Sequence, residues 1–283
     1  MRVTEADLTI RRVAFALSVA GSDPTGGAGL LADVQVFRAH GLLAGGVVTA
    51  ITVQDTEKVH QVLPSFSSVV LDQLRTALAD LAPAGIKLGM LATDDVARAV
   101  SLSLDGLGPP ETRKTVVVID PVLTATDGTS LLERRALGTL QELVRGATLV
   151  TPNLPEAEQL TGCDVSNRAG TEKAARALVI DLGAGAALVK GGHREGAPDD
   201  LLATRDGSGV ALRWLEGERI PGDPVHGTGC ALAAAATARL ARGESLDAAV
   251  EGARQWLRQA IRGAVAHGRG QRLLDLGIPA SPS

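Results

Sequence analysis

The sequence predicts one α/β domain built on a mostly parallel, doubly wound sheet, and two observations lead to this prediction. Short apolar runs recur along the chain, and most are apolar on both faces, as buried parallel strands are. Between these runs lie segments with the apolar spacing of amphipathic helices. Such an alternation is typical of right-handed βαβ units that share one sheet.

The elements can be assigned in chain order. The predicted strands are VAFALSVA, GGVVTAITV, AGIKLGM, TVVVID, ATLVTP and AALVKGG. The predicted helices between them are GLLADVQVFRAHG, VVLDQLRTALADL, DDVARAVSLSL and TEKAARALVIDLG. LLATRDGSGVALRWLEG has the pattern of a hairpin, and helices follow at about 228–242 and 246–266. We expect a domain over residues 13–270, with loosely ordered tails at 1–12 and 271–283.

Composition excludes several classes of protein. The 283 residues are 45% hydrophobic but only 2% aromatic, so the core has to be aliphatic. A net charge of −4 argues against a nucleic-acid partner, and no apolar run reaches the length of a membrane span. Arg11-Arg12 before VAFALSVAG imitates an export signal, but the nearby acids Glu5 and Asp7 favour a buried strand. Two cysteines make no disulfide framework, which favours the cytoplasm.

The first strand leads into a glycine-rich loop, AGSDPTGGAGLLAD, that opens a helix. Its spacing, Gly27-x-Gly29-x-x-Ala32, is similar to a dinucleotide-binding fingerprint, so a Rossmann oxidoreductase is one alternative. Against it, the loop is long, and the next strand ends in Gln54 rather than in an acidic residue. Asp33, one turn into the helix, is either a ligand contact or an ordinary exposed carboxylate.

The motif TPNLPEAEQL places an asparagine and a glutamate three residues apart after the fifth strand. Asn153 and Glu156 match a capping box, in which each side chain bonds the backbone of the other. The same oxygens also suit a hydrated Mg²⁺, and the two interpretations are compatible. Asp120, which closes TVVVID, is the second carboxylate that we expect near this metal.

The sixth strand ends in LVKGGH. Lys190 is a candidate for neutralising phosphate charge, although a lysine at a strand end is often only solvated. Gly191 and Gly192 would allow a nucleotide to approach the backbone closely.

In the motif HGTGCALAAA, a glycine-rich turn ends in a cysteine where an alanine-rich helix begins. Cys230 then lies beside unpaired backbone N–H groups and the positive end of the helix dipole. This position suits a bound anion or a thiolate, or else a buried cysteine in a tight junction. A Cys-His pair with His226 is not favoured, because no third orienting residue is evident.

Taken together, these motifs resemble those of the bacterial hydroxymethylpyrimidine/phosphomethylpyrimidine kinases of thiamin biosynthesis, in the ribokinase-like superfamily. AGSDPTGGAGLLAD, TAITVQDT, IKLGML, IDPV, TPNLPEAEQLTG, LVKGGH and HGTGC stand in the same order, from about residue 14 to 265. The resemblance implies a three-layer αβα sandwich. It also implies phosphorylation of 4-amino-5-hydroxymethyl-2-methylpyrimidine to the monophosphate and then the diphosphate, with ATP and Mg²⁺, by a cytoplasmic homodimer.

The resemblance also implies a role for each matched residue. Cys230 would take the proton of the substrate hydroxyl, and the amides of Gly227, Thr228 and Gly229 would complete an anion hole. The implied pyrimidine contacts are Gly21, Asp33, Gln54 and Met90, and the implied nucleotide contacts are Lys190, Gly191, Gly192 and Asn153. Asp120 and Glu156 are the implied metal-site carboxylates.

The chain departs from the family in the loop after IDPV, where the usual M-x-A-K-S-G reads LTATDG. Thr126 stands at the lysine position and Asp127 at the serine position, which removes a positive charge near the phosphates. A pyridoxal kinase of the same branch is the nearest alternative, and a non-catalytic pyrimidine-binding sensor is another.

Overall fold

The computed structural model describes residues 13–110, 112–192, 196–207 and 209–280. The predicted tail at residues 1–12 lies outside the described residues, and so do His193 of the LVKGGH motif and the last three residues of the chain. Within the described ranges the chain forms a central sheet with helices on both faces, so the predicted α/β class is confirmed.

Nine strands of the described chain form this sheet, in the order β3-β2-β1-β4-β5-β6-β7-β8-β9. They are β1 (Phe15–Ser22), β2 (Leu43–Gln54), β3 (Val59–Pro64), β4 (Gly85–Leu88), β5 (Val116–Ile119), β6 (Leu149–Val150), β7 (Ala186–Val189), β8 (Asp200–Asp206) and β9 (Gly209–Leu215). The six inner strands are parallel to one another: β2, β1, β4, β5, β6 and β7. At the two edges, β3 and the β8–β9 hairpin pair antiparallel. Sequence analysis did not assign β3.

Two helical layers cover the sheet. The helices are α1 (Gly29–Ala39), α2 (Ser67–Leu81), α3 (Asp94–Asp105), α4 (Leu137–Arg145), α5 (Leu154–Thr161), α6 (Arg168–Ile180), α7 (Thr228–Ala241) and α8 (Leu246–Arg262). Buried residues of α1, α7 and α8 form one apolar core with the sheet, and those of α2 to α6 form the other. The chain reverses its direction of winding between β1 and β4, and such a switch point opens a crevice at the carboxyl ends of the strands.

The alanine run at the start of α7 has a packing reason. Residues 231–236 are all buried, and a Cβ at Gly85 of β4 would lie 2.9 Å from the Ala241 Cβ and 3.1 Å from Thr237. Small side chains on both sides therefore let α7 lie close against the middle of the sheet. This contact holds the first turn of α7 at the carboxyl edge of the strands.

The predicted domain boundary at residue 270 needs correction. Strand β11 (Arg272–Leu273) pairs parallel with β10 (Val225–His226), immediately before α7. Leu274 and Leu276 are buried, and the Trp256 indole N–H donates to the Ile278 carbonyl at 3.0 Å. Residues 271–280 therefore belong to the domain, because they cover α8 and support the turn that begins α7.

Candidate active site

A cleft of about 650 Å³ runs along the carboxyl edge of the parallel strands. Of the residues that the sequence singled out, the cleft is lined by Gly21, Gln54, Met90, Asp120, Asn153, Glu156, Lys190, Gly192, Gly227, Thr228, Gly229 and Cys230. They come from loops that are far apart in sequence but follow neighbouring strands. The structure thus brings most of the expected site residues to one place.

Two backbone turns meet at the centre of this cleft. Gly29 and Gly227 both have positive φ, +60° and +78°, a conformation that favours glycine. A Cβ at Gly227 would collide with the carbonyl oxygen of Gly27, and a Cβ at Gly29 would collide with that of Gly21. The second turn can therefore approach the first this closely only because residue 227 is glycine, whereas Gly29 lets the first turn fold back on the end of β1.

The first turn of α7 points its backbone N–H groups into the cleft. Gly227 is the N-cap residue and offers no side-chain cap, so the amides of Thr228, Gly229 and Cys230 have no partner within the helix. Together with the helix dipole they form a site for a negatively charged oxygen. This geometry fits the anion hole that the sequence predicted.

The Cys230 thiol does not favour the thiolate form. Burial is the main cause that raises its pKa, to about 11, and the nearby carboxylates Asp120 and Asp33 raise it further. Lys87 and the backbone N–H of Gly29 lower the pKa, but by less. Of the alternatives that the sequence left open, the thiolate is therefore not favoured in the free protein, because desolvation outweighs the dipole. The negative charge of the Asp120 carboxylate also disfavours a second negative charge on the sulfur.

Asp120, Lys190 and Glu156 form a charged cluster beside Cys230. The Lys190 ammonium lies 2.7 Å from Asp120 Oδ1 and 4.0 Å from Glu156 Oε2. Burial opposes the charged form of Asp120, but Lys190 and Lys87 outweigh it and hold the pKa of Asp120 below its usual value. Burial raises the pKa of Glu156 to about 7 in spite of Lys190. Lys190 therefore balances Asp120, and Glu156 is poised to change its charge near neutral pH.

Asn153 and Glu156 form the capping box that their spacing indicated. Asn153 Oδ1 accepts from the Glu156 N–H at 2.9 Å, and Glu156 Oε2 accepts from the Asn153 N–H at 2.7 Å. Both residues also line the cleft. The motif thus has a clear structural role at the start of α5, and this role leaves the second Glu156 oxygen available.

The chemistry of this cluster fits Mg²⁺ only as a hydrated ion. Within the described ranges, no group of three or more His, Cys, Asp or Glu side chains is placed to hold a metal ion. Mg²⁺ commonly binds with one or two carboxylates, several waters and the phosphates of a nucleotide. Asp120 and Glu156 supply two carboxylates of that kind.

Gln54, at the end of β2, has polar neighbours on both sides of its amide. One end of the amide lies 3.2 Å from His226 Nε2, and the other end lies 3.2 Å from Thr52 Oγ1. His226 Nε2 lies 2.7 Å from Asp23 Oδ2, so His226 joins the first glycine turn to the second. Sequence analysis considered His226 only as a partner of Cys230 and missed Asp23, since no local spacing links residues so far apart.

Asp33 does not line the cleft, so its expected contact with the pyrimidine is corrected. The side chain is fully buried, and both carboxylate oxygens bind the Lys87 ammonium, at 2.9 and 3.0 Å. Ser18 Oγ donates to Asp33 at 2.6 Å. Asp33 faces inward from α1 because Lys87 of β4, fully buried itself, requires a counter-charge there.

Gly191 also lies behind the cleft rather than in it. Its N–H donates to Asp200 Oδ1 at 2.8 Å, and a Cβ there would collide with the backbone carbonyl of Asp199. Residue 191 therefore has to be a glycine, because the chain that leaves β7 passes close to the backbone of residue 199 there. Its expected contact with the nucleotide is corrected, whereas Gly192 keeps its place at the surface of the cleft.

The loop that departs from the family pattern borders the cleft. Thr126 lines the cleft, and Asp127 accepts from the Val59 N–H at 2.7 Å and from the Thr129 N–H at 2.8 Å. Asp127 therefore ties this loop to the start of β3. The aspartate at the usual serine position has a structural role that the sequence did not reveal.

The family model for phosphomethylpyrimidine kinases matches residues 23–275. The chain belongs to the phosphomethylpyrimidine kinase family. A hydroxymethylpyrimidine/phosphomethylpyrimidine kinase of Staphylococcus aureus is 36% identical over 260 residues, which are 91% of each chain. This result confirms the resemblance found in the motifs and removes the support for the oxidoreductase alternative.

Two solved kinase structures have the same fold as this chain. A pyridoxal kinase from Staphylococcus aureus in complex with ADP superimposes with a TM-score of 0.81 at 31% identity, covering 94% of both chains. A phosphomethylpyrimidine kinase from Clostridium difficile gives a TM-score of 0.76 at 30% identity, covering 88% of this chain and 99% of that one. The phosphomethylpyrimidine kinase fold is therefore shared with pyridoxal kinases.

Cys230 is expected to alkylate slowly at neutral pH. With its pKa raised to about 11, the thiolate is only about one part in 10⁴ at pH 7. In a Cys163→Ser variant, which leaves Cys230 as the only thiol, iodoacetamide labelling should speed up about tenfold per pH unit between about pH 7 and 10. The double variant Cys163→Ser with Cys230→Ser, which has no thiol, measures the background labelling. A plateau below about pH 9 would mean that the helix dipole dominates after all.

Proposed function

We propose that this chain transfers the γ-phosphoryl group of ATP to the hydroxymethyl group of 4-amino-5-hydroxymethyl-2-methylpyrimidine, and then phosphorylates the monophosphate, as part of thiamin biosynthesis. The observation that supports this most directly is the first turn of α7, Gly227–Cys230, facing a pocket lined by Gln54 and Met90. An anion hole next to a pocket with a glutamine amide suits phosphoryl transfer to a small polar ring.

The two ends of the cleft differ in character, and this difference supports an acceptor and a donor site. Gly21, Gln54 and Met90 surround the end beneath β1, β2 and β4. Beyond the first turn of α7 the cleft continues over Leu257, and its lining there also includes Ile220, Leu232, Arg258 and Ile261. Apolar and arginine side chains of this kind suit a nucleotide base and its phosphates. These nucleotide-side residues follow no recognisable motif, so the sequence did not point to them.

Cys230 is the proposed acceptor of the hydroxyl proton in the first step. Its sulfur lies at the anion hole, so a hydroxymethyl group placed there is next to both the base and the transferring phosphoryl group. The thiol is protonated in the free protein, so its proton has to leave before the sulfur can accept another. That proton has to leave to the solvent of the cleft, because Lys190 and Lys87 hold the pKa of Asp120 below its usual value and make this carboxylate a poor acceptor.

Asp120 and Glu156 are the carboxylates that would hold the Mg²⁺ that accompanies the nucleotide. When bound, it neutralises charge on the transferring phosphoryl group. Lys190 supplies a second positive charge at the same place, already paired with Asp120 at 2.7 Å. Asn153 holds Glu156 in position through the capping box. Because Thr126 stands where the family usually has a lysine, Mg²⁺ and Lys190 have to neutralise more of the phosphate charge in the second phosphorylation.

Pyridoxal phosphorylation is the second candidate activity, because solved pyridoxal kinases share this fold at TM-scores up to 0.81. Pyridoxal, like the pyrimidine, carries a hydroxymethyl group on an aromatic nitrogen ring. We expect ATP consumption with the pyrimidine alcohol to exceed that with pyridoxal, and both to exceed the rate without acceptor. The measurement is coupled ADP release at matched acceptor concentrations. A faster rate with pyridoxal would favour the second candidate, and no acceptor-dependent rate would favour a binding protein.

The two phosphorylation steps should respond differently to loss of the thiol. In the first step an alcohol has to lose a proton, and a positioned base contributes about 10²–10⁴-fold to such a rate. In the second step the acceptor is a phosphate monoester, mostly dianionic at neutral pH because its second pKa is about 6. Cys230→Ala should therefore slow the first step by about 10²-fold or more and the second much less.

Separate assays that start from the alcohol and from the monophosphate measure this difference. Cys163→Ala, in the core between α5 and α6, is the matched control and should change neither rate strongly. Equal losses in both steps for the Cys230 variant would mean that its side chain only shapes the anion hole.

A homodimer is proposed through an apolar strip on the edge of the sheet, made of Ile51, Val53, Leu63 and Phe66. These side chains are exposed, Phe66 by 82%, and Ile51 pairs with Leu63 across β2 and β3. A contiguous apolar strip on an edge hairpin is typical of an interface between copies. Both cysteines are free thiols, which supports the proposed cytoplasmic setting.

Light scattering should give twice the mass of one chain for the native protein. Ile51→Lys together with Leu63→Lys should reduce this mass to that of one chain, because charges at the strip oppose its burial. Leu102→Lys, at an exposed position on α3, is the control and should stay dimeric. A dimer that persists in the double variant would place the interface elsewhere.

Among the described residues, no helix is both long and apolar enough to span a membrane.

A further inference from the structure

This inference concerns the direction in which the Gln54 amide faces, and it rests on the proposed function, in which that amide contacts the acceptor ring. The two ends of a glutamine amide have the same outline, so their hydrogen-bonding partners decide which end is oxygen and which is nitrogen. Gln54 has one such partner at each end, His226 and Thr52, each at 3.2 Å. Both partners can be assigned as donor or acceptor from their own surroundings.

The Asp23 carboxylate identifies the role of His226. Asp23 accepts hydrogen bonds from the Thr25 N–H at 2.9 Å, the Thr25 hydroxyl at 2.9 Å and the Ala28 N–H at 3.1 Å. Burial alone would raise the pKa of Asp23, but hydrogen bonds from His226 and Thr25 lower it below its usual value, so Asp23 is an acceptor. His226 Nε2, 2.7 Å from Asp23 Oδ2, therefore carries its proton and donates.

A ring nitrogen that carries a proton has no lone pair for a second donor. The Gln54 NH₂ group cannot therefore be the end that lies 3.2 Å from His226 Nε2. The carbonyl oxygen can lie there, because the His226 N–H is able to share its hydrogen between Asp23 and this oxygen. His226 thus requires the Gln54 oxygen at its own side.

Thr52 requires the same orientation independently. Its hydroxyl has one hydrogen and lies 3.1 Å from the carbonyl oxygen of Ser22, which can only accept. With that hydrogen given to Ser22, the hydroxyl oxygen accepts from its other neighbour, the Gln54 amide, at 3.2 Å. The end of Gln54 at Thr52 is therefore the NH₂ group.

We infer that His226 and Thr52 hold the Gln54 amide with its oxygen toward His226 and its NH₂ toward Thr52, and that this orientation selects the acceptor ring. One lone pair of the oxygen and one hydrogen of the NH₂ group stay available. The matching ring edge has a donor on the His226 side and an acceptor on the Thr52 side. His226 and Thr52 act through Gln54, so they are positioning residues.

A 4-aminopyrimidine with a 5-hydroxymethyl group has this edge in this order. Its amino group is next to the hydroxymethyl carbon, and its acceptor N3 lies one position farther away. His226 directly precedes the turn Gly227–Cys230, so the His226 side of Gln54 is the side nearer the anion hole. The ring therefore has to place its hydrogen-bond donor on the side of its hydroxymethyl group. The 4-oxo analogue, with a carbonyl at C4 and N3–H, presents the opposite order and would meet oxygen with oxygen.

The test is titration calorimetry of the full chain with 4-amino-5-hydroxymethyl-2-methylpyrimidine and with its 4-oxo analogue. We expect the native protein to prefer the amino compound by about 10²-fold or more, because a mismatched edge leaves buried polar groups unpaired. His226→Leu, which has no donor, should reduce that preference by about tenfold or more. His226→Gln, whose NH₂ group still donates, should retain most of it.

Thr52 supplies a second matched pair in case the His226→Leu protein does not fold. Thr52→Val removes the hydroxyl but keeps the shape and should reduce the preference, whereas Thr52→Ser keeps the hydroxyl and should retain it. Thermal unfolding of each variant shows whether it is folded. An unchanged preference in a folded His226→Leu or Thr52→Val protein, or no preference in the native protein, overturns the inference.

The ¹⁵N spectrum of His226 separates failure of this inference from failure of the proposed function. The inference requires a proton on Nε2 in the protein without any substrate, and a proton found on Nδ1 alone overturns it. If the native protein binds neither pyrimidine while His226 carries its proton on Nε2, the orientation holds and the proposed substrate is wrong.

Discussion

The active-site cleft depends on the close approach of two backbone turns, one after β1 and one at the start of α7. Gly227 holds a left-handed conformation in which a Cβ would collide with the Gly27 carbonyl of the first turn, and Gly29 holds one in which a Cβ would collide with Gly21 at the end of β1. The Asp23 carboxylate joins the turns by accepting from its own loop and from His226. As a result, the anion hole on α7 and the ring-binding end beneath β1 and β2 share a wall. A larger side chain at either glycine would separate the two halves of the cleft.

Charge in the cleft is balanced before any ligand binds. Lys190 pairs with Asp120 and lies near Glu156, and Lys87 is buried behind them with Asp33 as its counter-charge. Isolated charges could not be buried so deeply, because their desolvation costs more than a single contact returns. Burial, with a smaller contribution from the charges of Asp120 and Asp33, keeps the Cys230 thiol protonated.

Much of the architecture followed from local sequence. Parallel strands buried on both faces are continuous apolar runs, so β1, β2 and β4–β7 were recognisable, and the N-x-x-E spacing identified the capping box of Asn153 and Glu156. The antiparallel edge strand β3 was missed, because the sequence VHQVLP is short, contains no continuous apolar run and gains its order from pairing with β2. The helix α4 was not assigned either, and the structure places its apolar face in the core with α3.

The sequence by itself determined the fold class, the family and the set of loops that meet at the cleft, since each depends on short-range patterns and motif order. Only the tertiary structure decided which way individual side chains face. Asp33 and Gly191 belong to motifs that border the cleft, yet neither lines it. Asp33 faces inward because it pairs with Lys87 of β4, and Gly191 packs against the backbone of Asp199. The thiol of Cys230 was equally undecided, because its protonation depends on burial and on charges from segments far away in sequence. Desolvation and long-range electrostatics are properties of the packed chain, so no local pattern encodes them.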